Sequence, residues 1–206
     1  MHDLPHLARW MGPFPEYLHA RHAAQRELEI LRENHWFFGR TAWDKAHLLA
    51  INPGARYFHV PELMRTTFYD HVWDLNACQR HRIIFTNANT FRRGTEVLLD
   101  ALVILKQDFP AIRLALAGGV ERLPYGKRLQ RRIAALGLQD AVEFLGQINE
   151  EQMVNELKKA HVFTIASLLE NSPNSLCEAQ LIGMPCVASY VGGIPSLVEE
   201  GVTGLF

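Results

Sequence analysis

The chain has 206 residues, 48% of them apolar and 21% charged, with a formal net charge of −1. That is enough for one full domain and part of another, with apolar side chains for a sizeable core. The near-neutral balance speaks against nucleic acid or an anionic surface as the main partner, and no apolar run approaches the roughly 20 residues that span a bilayer. The three cysteines, Cys78, Cys177 and Cys186, form no CxxC pair and read as cytosolic thiols. Met1-His2-Asp3-Leu4-Pro5 has no basic region followed by an apolar one, so it is not read as a secretory signal and a cytoplasmic location is expected.

Met1 to Pro15 gives no clear element. Glu16 to Glu33 reads as a helix with Leu18, Leu28 and Leu31 among its apolar positions, and His35 to Gly39 as a short strand. Thr41 caps the next helix, with Asp44 three residues on as an acidic variant of the capping box, and Asn52-Pro53-Gly54 ends it. Tyr57 to Val60 is a second short strand, closed by Pro61. Two strands are too few for an independent nucleotide-binding domain. Residues 1–70 are therefore expected to be part of a domain, and 71–81, aromatic and without a clean period, a connection.

Residues 82–206 are far more regular. Strands are expected at Arg82–Thr86, Arg113–Ala117, Val142–Leu145, His161–Ala166 and Cys186–Tyr190. Between them lie helices at Thr95–Phe109, Tyr125–Leu136, Asn149–Lys159 and from Pro173 to Gly183, the last capped by Ser172. Alternation at these lengths predicts an α/β fold, a doubly wound parallel sheet with ligands beyond the carboxyl ends of its strands. The chain closes on Gly204-Leu205-Phe206, which looks like the start of a further strand.

The most informative stretch is Ser167 to Phe206. Glu170 and Glu178 are separated by seven residues, and Asn171 to Ser175 between them is a loop turning into a helix. The N–H groups and dipole of such a helix start favour an anion such as a diphosphate. Glu178 reads equally as a hydrogen-bond acceptor for sugar hydroxyls or as the end of a local capping box, Ser175-Leu176-Cys177-Glu178. Glu170 on its own is a solvated loop carboxylate. Arg92-Arg93-Gly94, after the first strand of the regular region, reads as two solvated arginines or as a phosphate contact. Histidines such as His19 and His22 lack further ligands at zinc spacing, and no metal site is expected. The basic helix with Lys127, Arg128, Arg131 and Arg132 is a solvated face that also suits anionic lipid headgroups.

Taken together, Glu170 to Glu178-Ala179, Gly183-Met184-Pro185-Cys186-Val187-Ala188 and Gly192-Gly193 resemble the signature of retaining glycosyltransferases of family 4, which have the GT-B fold. Gly39-Arg40-Thr41 to Trp43-Asp44 and Glu62-Leu63-Met64-Arg65 resemble the end of the N-terminal domain in some bacterial members. The resemblance covers about residues 35 to 206. It implies a Rossmann-like C-terminal domain over 82–206, lacking its closing helices, that takes a donor sugar nucleotide, and a partial acceptor-side domain before it.

What the resemblance implies can be carried over residue by residue. Arg93 matches a basic residue reaching the donor diphosphate. A second arginine six residues earlier in the family is here Asn87, which donates hydrogen bonds but brings no charge. Glu170 matches the carboxylate facing the donor sugar, and Glu178 the one holding the nucleotide ribose. Backbone N–H groups at Asn174 and Ser175 match those near the diphosphate, and Leu145 and Gly146 border the base. The implied activity moves a sugar from a UDP-, GDP- or ADP-sugar to a glycan, lipid-linked or other acceptor without cofactor or metal, in the cytoplasm or at the inner membrane face. The alternatives are a non-catalytic sugar-nucleotide module and a nicotinamide-dependent oxidoreductase; the latter needs GxGxxG where Thr86 to Gly94 has none.

Overall fold

The computed structural model describes residues 14–120 and 124–206. The start without a predicted element, Met1 to Pro15, therefore lies outside the described residues as far as residue 13. The chain divides into two compact units, Met1–Val60 and Pro61–Phe206.

In the first unit the described elements are α1 (Phe14–Glu33), β1 (Trp36–Gly39), α2 (Ala42–Ile51) and β2 (Arg56–His59). The two strands pair in parallel. Thr41 and Asp44 form the predicted capping box at the start of α2. The Tyr57 hydroxyl donates to Asp44 at 2.6 Å; burial, and then this carboxylate, push the tyrosine pKa up to about 12. Asn52, predicted as a helix stop, closes α2 and donates its side-chain amide to the carbonyls of Leu31 and Asn34, both at 2.9 Å. Trp36 stacks on Phe58, and Phe38 meets the same ring at a tilt, yet all three stay exposed.

The second unit is built on a five-stranded, wholly parallel sheet: β3 (Arg82–Phe85), β4 (Arg113–Ala117), β5 (Val142–Gly146), β6 (Val162–Ile165) and β7 (Cys186–Ala188). Between them run α3 (Thr95–Asp108), α4 (Pro124–Ala135), α5 (Glu150–Lys159) and α6 (Asn174–Leu181). The spatial order is β5-β4-β3-β6-β7. The first strand is thus central, and the chain builds outward on one side before crossing to the other. Right-handed crossovers then put α3 and α4 on one face and α5 and α6 on the opposite one. The side chains alternate accordingly. Ile83, Phe85, Leu114 and Leu116 pack with Leu98, Leu99, Leu102, Leu129 and Ile133. Ile84, Ala115, Phe163 and Ile165 pack with Val154, Leu157, Leu176 and Ala179. Both faces are covered across the middle, as a parallel sheet requires.

Every strand and helix expected after residue 82 is present, with ends shifted by a few residues. Asn149 and Gln152 form a reciprocal capping box at the start of α5. Leu205 bridges in parallel to Val187, in keeping with a strand beginning there. The expected cap of α6 is corrected: Pro173, not Ser172, occupies the cap position, without a side-chain cap hydrogen bond. Proline's fixed φ suits either place and the N–H it lacks is unpaired in both. The segment before β3 is irregular except for a 3-10 turn at Thr66–Phe68, yet it is firmly held. Phe68 is wholly buried in the α5–α6 core, and Trp73 hydrogen-bonds to the carbonyls of Ile182 and Ala160.

Arg82 anchors the amino end of the central strand. Its guanidinium, 8% exposed, pairs with Glu156 of α5 at 2.7 Å and with Glu143 of β5 at 2.9 Å. Burial pushes the Glu156 pKa up, but hydrogen bonds from Lys159 and Arg82 outweigh it and hold the carboxyl below its usual range. A depressed folded-state pKa stabilises fully above the unfolded-state value, about 4.3, and that part is lost as pH falls through the folded-state value. Glu156→Gln is therefore expected to melt below wild type near pH 7, with a gap that narrows as pH drops through the carboxylate range. A gap of constant size down to about pH 2.5, by thermal melting, would assign the loss to packing alone.

Candidate functional site

The sheet order dictates where a ligand can enter. β3 and β6 are neighbours, but the chain leaves β3 for the α3 face and β6 for the α6 face, so the loops after them part and leave a crevice at the carboxyl edge. The loop after β3 starts with Asn87 in the left-handed region, φ 58°, turns through Phe91–Arg93, and enters α3 at Gly94, φ 73°. Gly94 is required twice: its φ is poor for other residues, and a Cβ there would strike the Ala166 carbonyl oxygen. The two loops are laced together by the Leu168 N–H, which donates to the Arg92 carbonyl at 2.8 Å.

That lacing brings Arg93 to Glu170. Nη1 of Arg93 donates to Oε2 of Glu170, with the two side chains 31% and 16% exposed. Burial, then the like charge of Arg92, push the Arg93 pKa down, but a guanidinium starts so far above neutral that it stays charged at neutral pH. The pair lines a hollow of about 370 Å³ with Asn89, Thr90, Arg92 and Leu169. A second hollow of about 350 Å³ is lined by Asn87, Asn89, Gly118, Gln147, Ile148 and Met153. Asn89, not singled out by its sequence context, lines both. Leu145 and Gly146 end β5 at this same edge; the Gly118 N–H donates to the Gly146 carbonyl at 2.9 Å, and Leu145 packs on the α5–α6 core.

The Gly192-Gly193 pair has a concrete task. A Cβ at Gly192 would run into the Glu170 carbonyl oxygen, and the Gly193 N–H donates to that oxygen at 3.1 Å. The loop after β7 therefore lies directly against the backbone of Glu170. Asn174 and Ser175 form the first turn of α6.

Glu178 sits on the inner side of α6, 4% exposed, beside buried Leu176 and Ala179. The local capping box with Ser175 is excluded, because the helix already starts at Asn174. The carboxylate is instead gripped by Arg65: Nε donates to Oε1 at 2.7 Å and Nη2 to Oε2 at 2.9 Å. That hydrogen bond pushes the Arg65 pKa up. Arg65 lies 113 residues away in sequence, and nothing local to Glu178 points to it. Arg93 and Glu170 thus meet directly, while Glu178, one helical turn into α6, is held by a different cation.

A larger hollow, about 690 Å³, lies elsewhere, along α3, β6 and β7, lined mostly by apolar groups such as Val97, Leu105, Phe109, Val162 and Val187. Arg82 lines it at one end, but Arg65, Arg93, Glu170 and Glu178 are not part of its lining. The basic residues of α4 are exposed, but Arg128 and Arg132 pair with Glu96 and Asp100 of α3. His19 and His22 are exposed, and no group of three metal-ligating side chains occurs among the described residues. No helix among them is long and apolar enough to cross a membrane.

Comparison with known proteins bears on the same segment. Residues 75–206 match the family model of glycosyl transferases group 1. The D-inositol 3-phosphate glycosyltransferase of Streptomyces scabiei is 32% identical over 118 residues, which are 54% of this chain and 26% of that protein. The amylovoran biosynthesis glycosyltransferase AmsK of Erwinia amylovora is 32% identical over 132 residues, 60% of this chain and 31% of AmsK. The matched segment is thus between a quarter and a third of those relatives' length. Among solved structures, sucrose-phosphate synthase of Thermosynechococcus elongatus superposes with a TM-score of 0.74 at 24% identity, over 87% of this chain and 46% of its own. Anabaena HepE in complex with UDP-glucose gives 0.73 at 21%, over 90% and 54%. These likenesses show the fold, an α/β parallel sheet of the Rossmann-like kind found in GT-B proteins. With the family model spanning well over half of the residues, and the crevice at the β3–β6 boundary inside the matched region, the chain belongs to the group 1 glycosyltransferases.

Proposed function

We propose that the protein is a retaining glycosyltransferase of family 4 whose residues 82–206 bind a sugar nucleotide and whose residues 1–70 are part of the acceptor-side domain, joined by 71–81. The observation that carries this reading is the meeting of Arg93 and Glu170 in one polar hollow, between the β3 loop and the loop that leads into α6. A fixed cation, a helix start and a carboxylate at one crevice suit a substrate that is an anion at one end and a polyol at the other. The donor is a UDP-, GDP- or ADP-sugar, with UDP the first to test because HepE is described with UDP-glucose and UDP. The acceptor is a glycan or lipid-linked chain, in line with the polysaccharide named for AmsK. The site of action is the cytoplasm or the inner membrane face; pairing of Arg128 and Arg132 with α3 leaves Lys127 and Arg131 as the basic residues for a peripheral contact.

On this reading Arg93 moves from Glu170 to the incoming diphosphate. Its fork and the N–H groups of Asn174 and Ser175 stabilise the charge that collects on the leaving group as the bond to the sugar breaks. Glu170, relieved of its cation, turns to the sugar hydroxyls, where its charge matters most as positive character grows on the ring. Asn87 donates hydrogen bonds to the phosphates without charge, and Leu145 and Gly146 border the base. Glu178 accepts from the ribose.

Two measurements on the full-length enzyme test these roles. Glu178→Ala is expected to weaken nucleoside diphosphate binding by roughly 1.5–3 kcal/mol in calorimetric titration, the value of hydrogen bonds to a charged acceptor. Unchanged affinity with a lower melting temperature would reduce Glu178 to a structural carboxylate. Glu170→Gln is expected to lower turnover on the order of 10²-fold, while nucleoside diphosphate affinity stays level or rises because Arg93 has lost a competing charge. Impaired nucleotide binding at normal turnover would reverse the roles of the two glutamates, and binding without transfer by the wild type would leave a sugar-nucleotide-binding module.

A further inference from the structure

Glu178 raises a problem that its match to the family pattern does not solve. A carboxylate whose side chain is 6% exposed, on a helix face shared with core leucine and alanine, is costly unless a cation meets it. Arg65 is that cation, and its delivery is rigid. It precedes the 3-10 turn Thr66–Phe68, and its guanidinium lies 4.7 Å over the ring of Phe68, which is wholly buried. Five residues beyond that ring, the Trp73 N–H donates at 2.7 Å to the carbonyl of Ile182, the residue that closes the helix carrying Glu178. Arg65 also comes within 3.9 Å of Glu150, at the start of α5. The cation is thus held by a buried ring beneath it and by carboxylates on two helices.

The geometry of the fork decides what Glu178 can still do. A carboxylate offers about four acceptor directions, two on each oxygen. Arg65 takes one on each, with parallel hydrogen bonds of 2.7 and 2.9 Å. One direction per oxygen is left, in the plane fixed by the guanidinium, and the two point to opposite sides of the carboxylate. Each can therefore take one hydroxyl, and a single ribose reaches only one of them. We propose that Arg65 is the positioning residue of the nucleotide site: it holds Glu178 charged and aimed so that the remaining direction on one oxygen accepts from the ribose 2′-hydroxyl. This rests on the reading of Glu178 as the ribose acceptor. It gives the segment that enters the second unit a part in choosing ribonucleotides over deoxyribonucleotides.

The test uses the full-length enzyme and its Arg65→Gln, Arg65→Lys, Glu178→Ala and Arg65→Gln/Glu178→Ala variants. Each is titrated calorimetrically with UDP, GDP and ADP and with their 2′-deoxy counterparts. A site built to bond a hydroxyl rejects the analogue lacking it, so wild type is expected to prefer the ribonucleotide by about tenfold or more. Arg65→Gln is expected to weaken UDP binding about tenfold and to bring the ribo/deoxy ratio close to one. Arg65→Lys keeps the charge but not the fork, so it is expected to fold as wild type does and still lose much of the preference. Adding Arg65→Gln to Glu178→Ala is expected to cost nothing more, since the two act through one interaction. A preserved ribo/deoxy ratio in a folded Arg65 variant would reduce Arg65 to a structural counter-ion. Tighter UDP binding by Arg65→Gln would show that the guanidinium occupies the place of the ribose, and additive losses would separate it from Glu178. If Glu178→Ala leaves affinity and ratio unchanged, or the wild type binds none of the nucleotides, the ribose reading itself falls. Loss in Glu178→Ala with none in Arg65→Gln sinks only the role given to Arg65.

Discussion

The structure of the second unit depends on β3 being hydrogen-bonded on both sides, to β4 on one flank and to β6 on the other. A first strand placed at the edge would give a sheet wound in one direction, with helices stacked on a single face. A central first strand forces the chain to build β4 and β5, cross beneath the sheet, and resume with β6 and β7 on the far flank. The direction reversal puts α3 and α6 on opposite faces, and the loops that lead into them diverge from adjacent strand ends. The polar hollow exists because of that divergence. Its width is held by contacts that cross it: the Leu168–Arg92 hydrogen bond and the close approach of Gly94 to Ala166.

Two carboxylates reach this edge and are treated in opposite ways. Glu170, on a loop, meets an arginine that is itself about a third exposed. Glu178, on the inner side of a helix, meets one stacked on a buried ring. The depth of the carboxylate, not of its cation, sets the difference: Arg65 is 45% exposed, more than Arg93, but Glu178 is 6% exposed against 16% for Glu170. A carboxylate nearer water changes partners at small cost, because solvent screens the intermediate. A deeper one is left uncompensated when its cation departs. The first arrangement suits a residue that changes partner when a ligand arrives, and the second suits one that must already be in place.

Most of this architecture was legible from the residues because it rests on local signals. Helix and strand periods, the Asn149–Gln152 and Thr41–Asp44 boxes, and Gly183 before Pro185 each act within a few residues. Of the residues singled out where motif and loop coincide, Arg93 and Glu170 do meet in one polar hollow. The site was opaque where partners come from afar. Nothing near Arg65 marks it as the counter-ion of a carboxylate 113 positions on, and nothing in Gly192-Gly193 says that it backs the Glu170 carbonyl and not a phosphate. The cap of α6 was misplaced by one residue because Ser172 has the better capping chemistry and Pro173 the better backbone.

The Arg93–Glu170 contact joins residues 77 positions apart, and the β3–β6 pairing beneath it spans nearly the same length of chain. On a ribosome, synthesising about 5–20 residues per second, Arg93 emerges several seconds before Glu170. For that interval β3 has only β4 to pair with, β5 adding to the far side of β4, and the other edge of β3 stands open with unsatisfied N–H and C=O groups. Closing so long a loop is a slow event in a parallel sheet. The crevice is consequently among the last parts of the unit to exist, and a nascent chain spends its early life as a three-stranded fragment with one raw edge, the stage at which a chaperone is most needed.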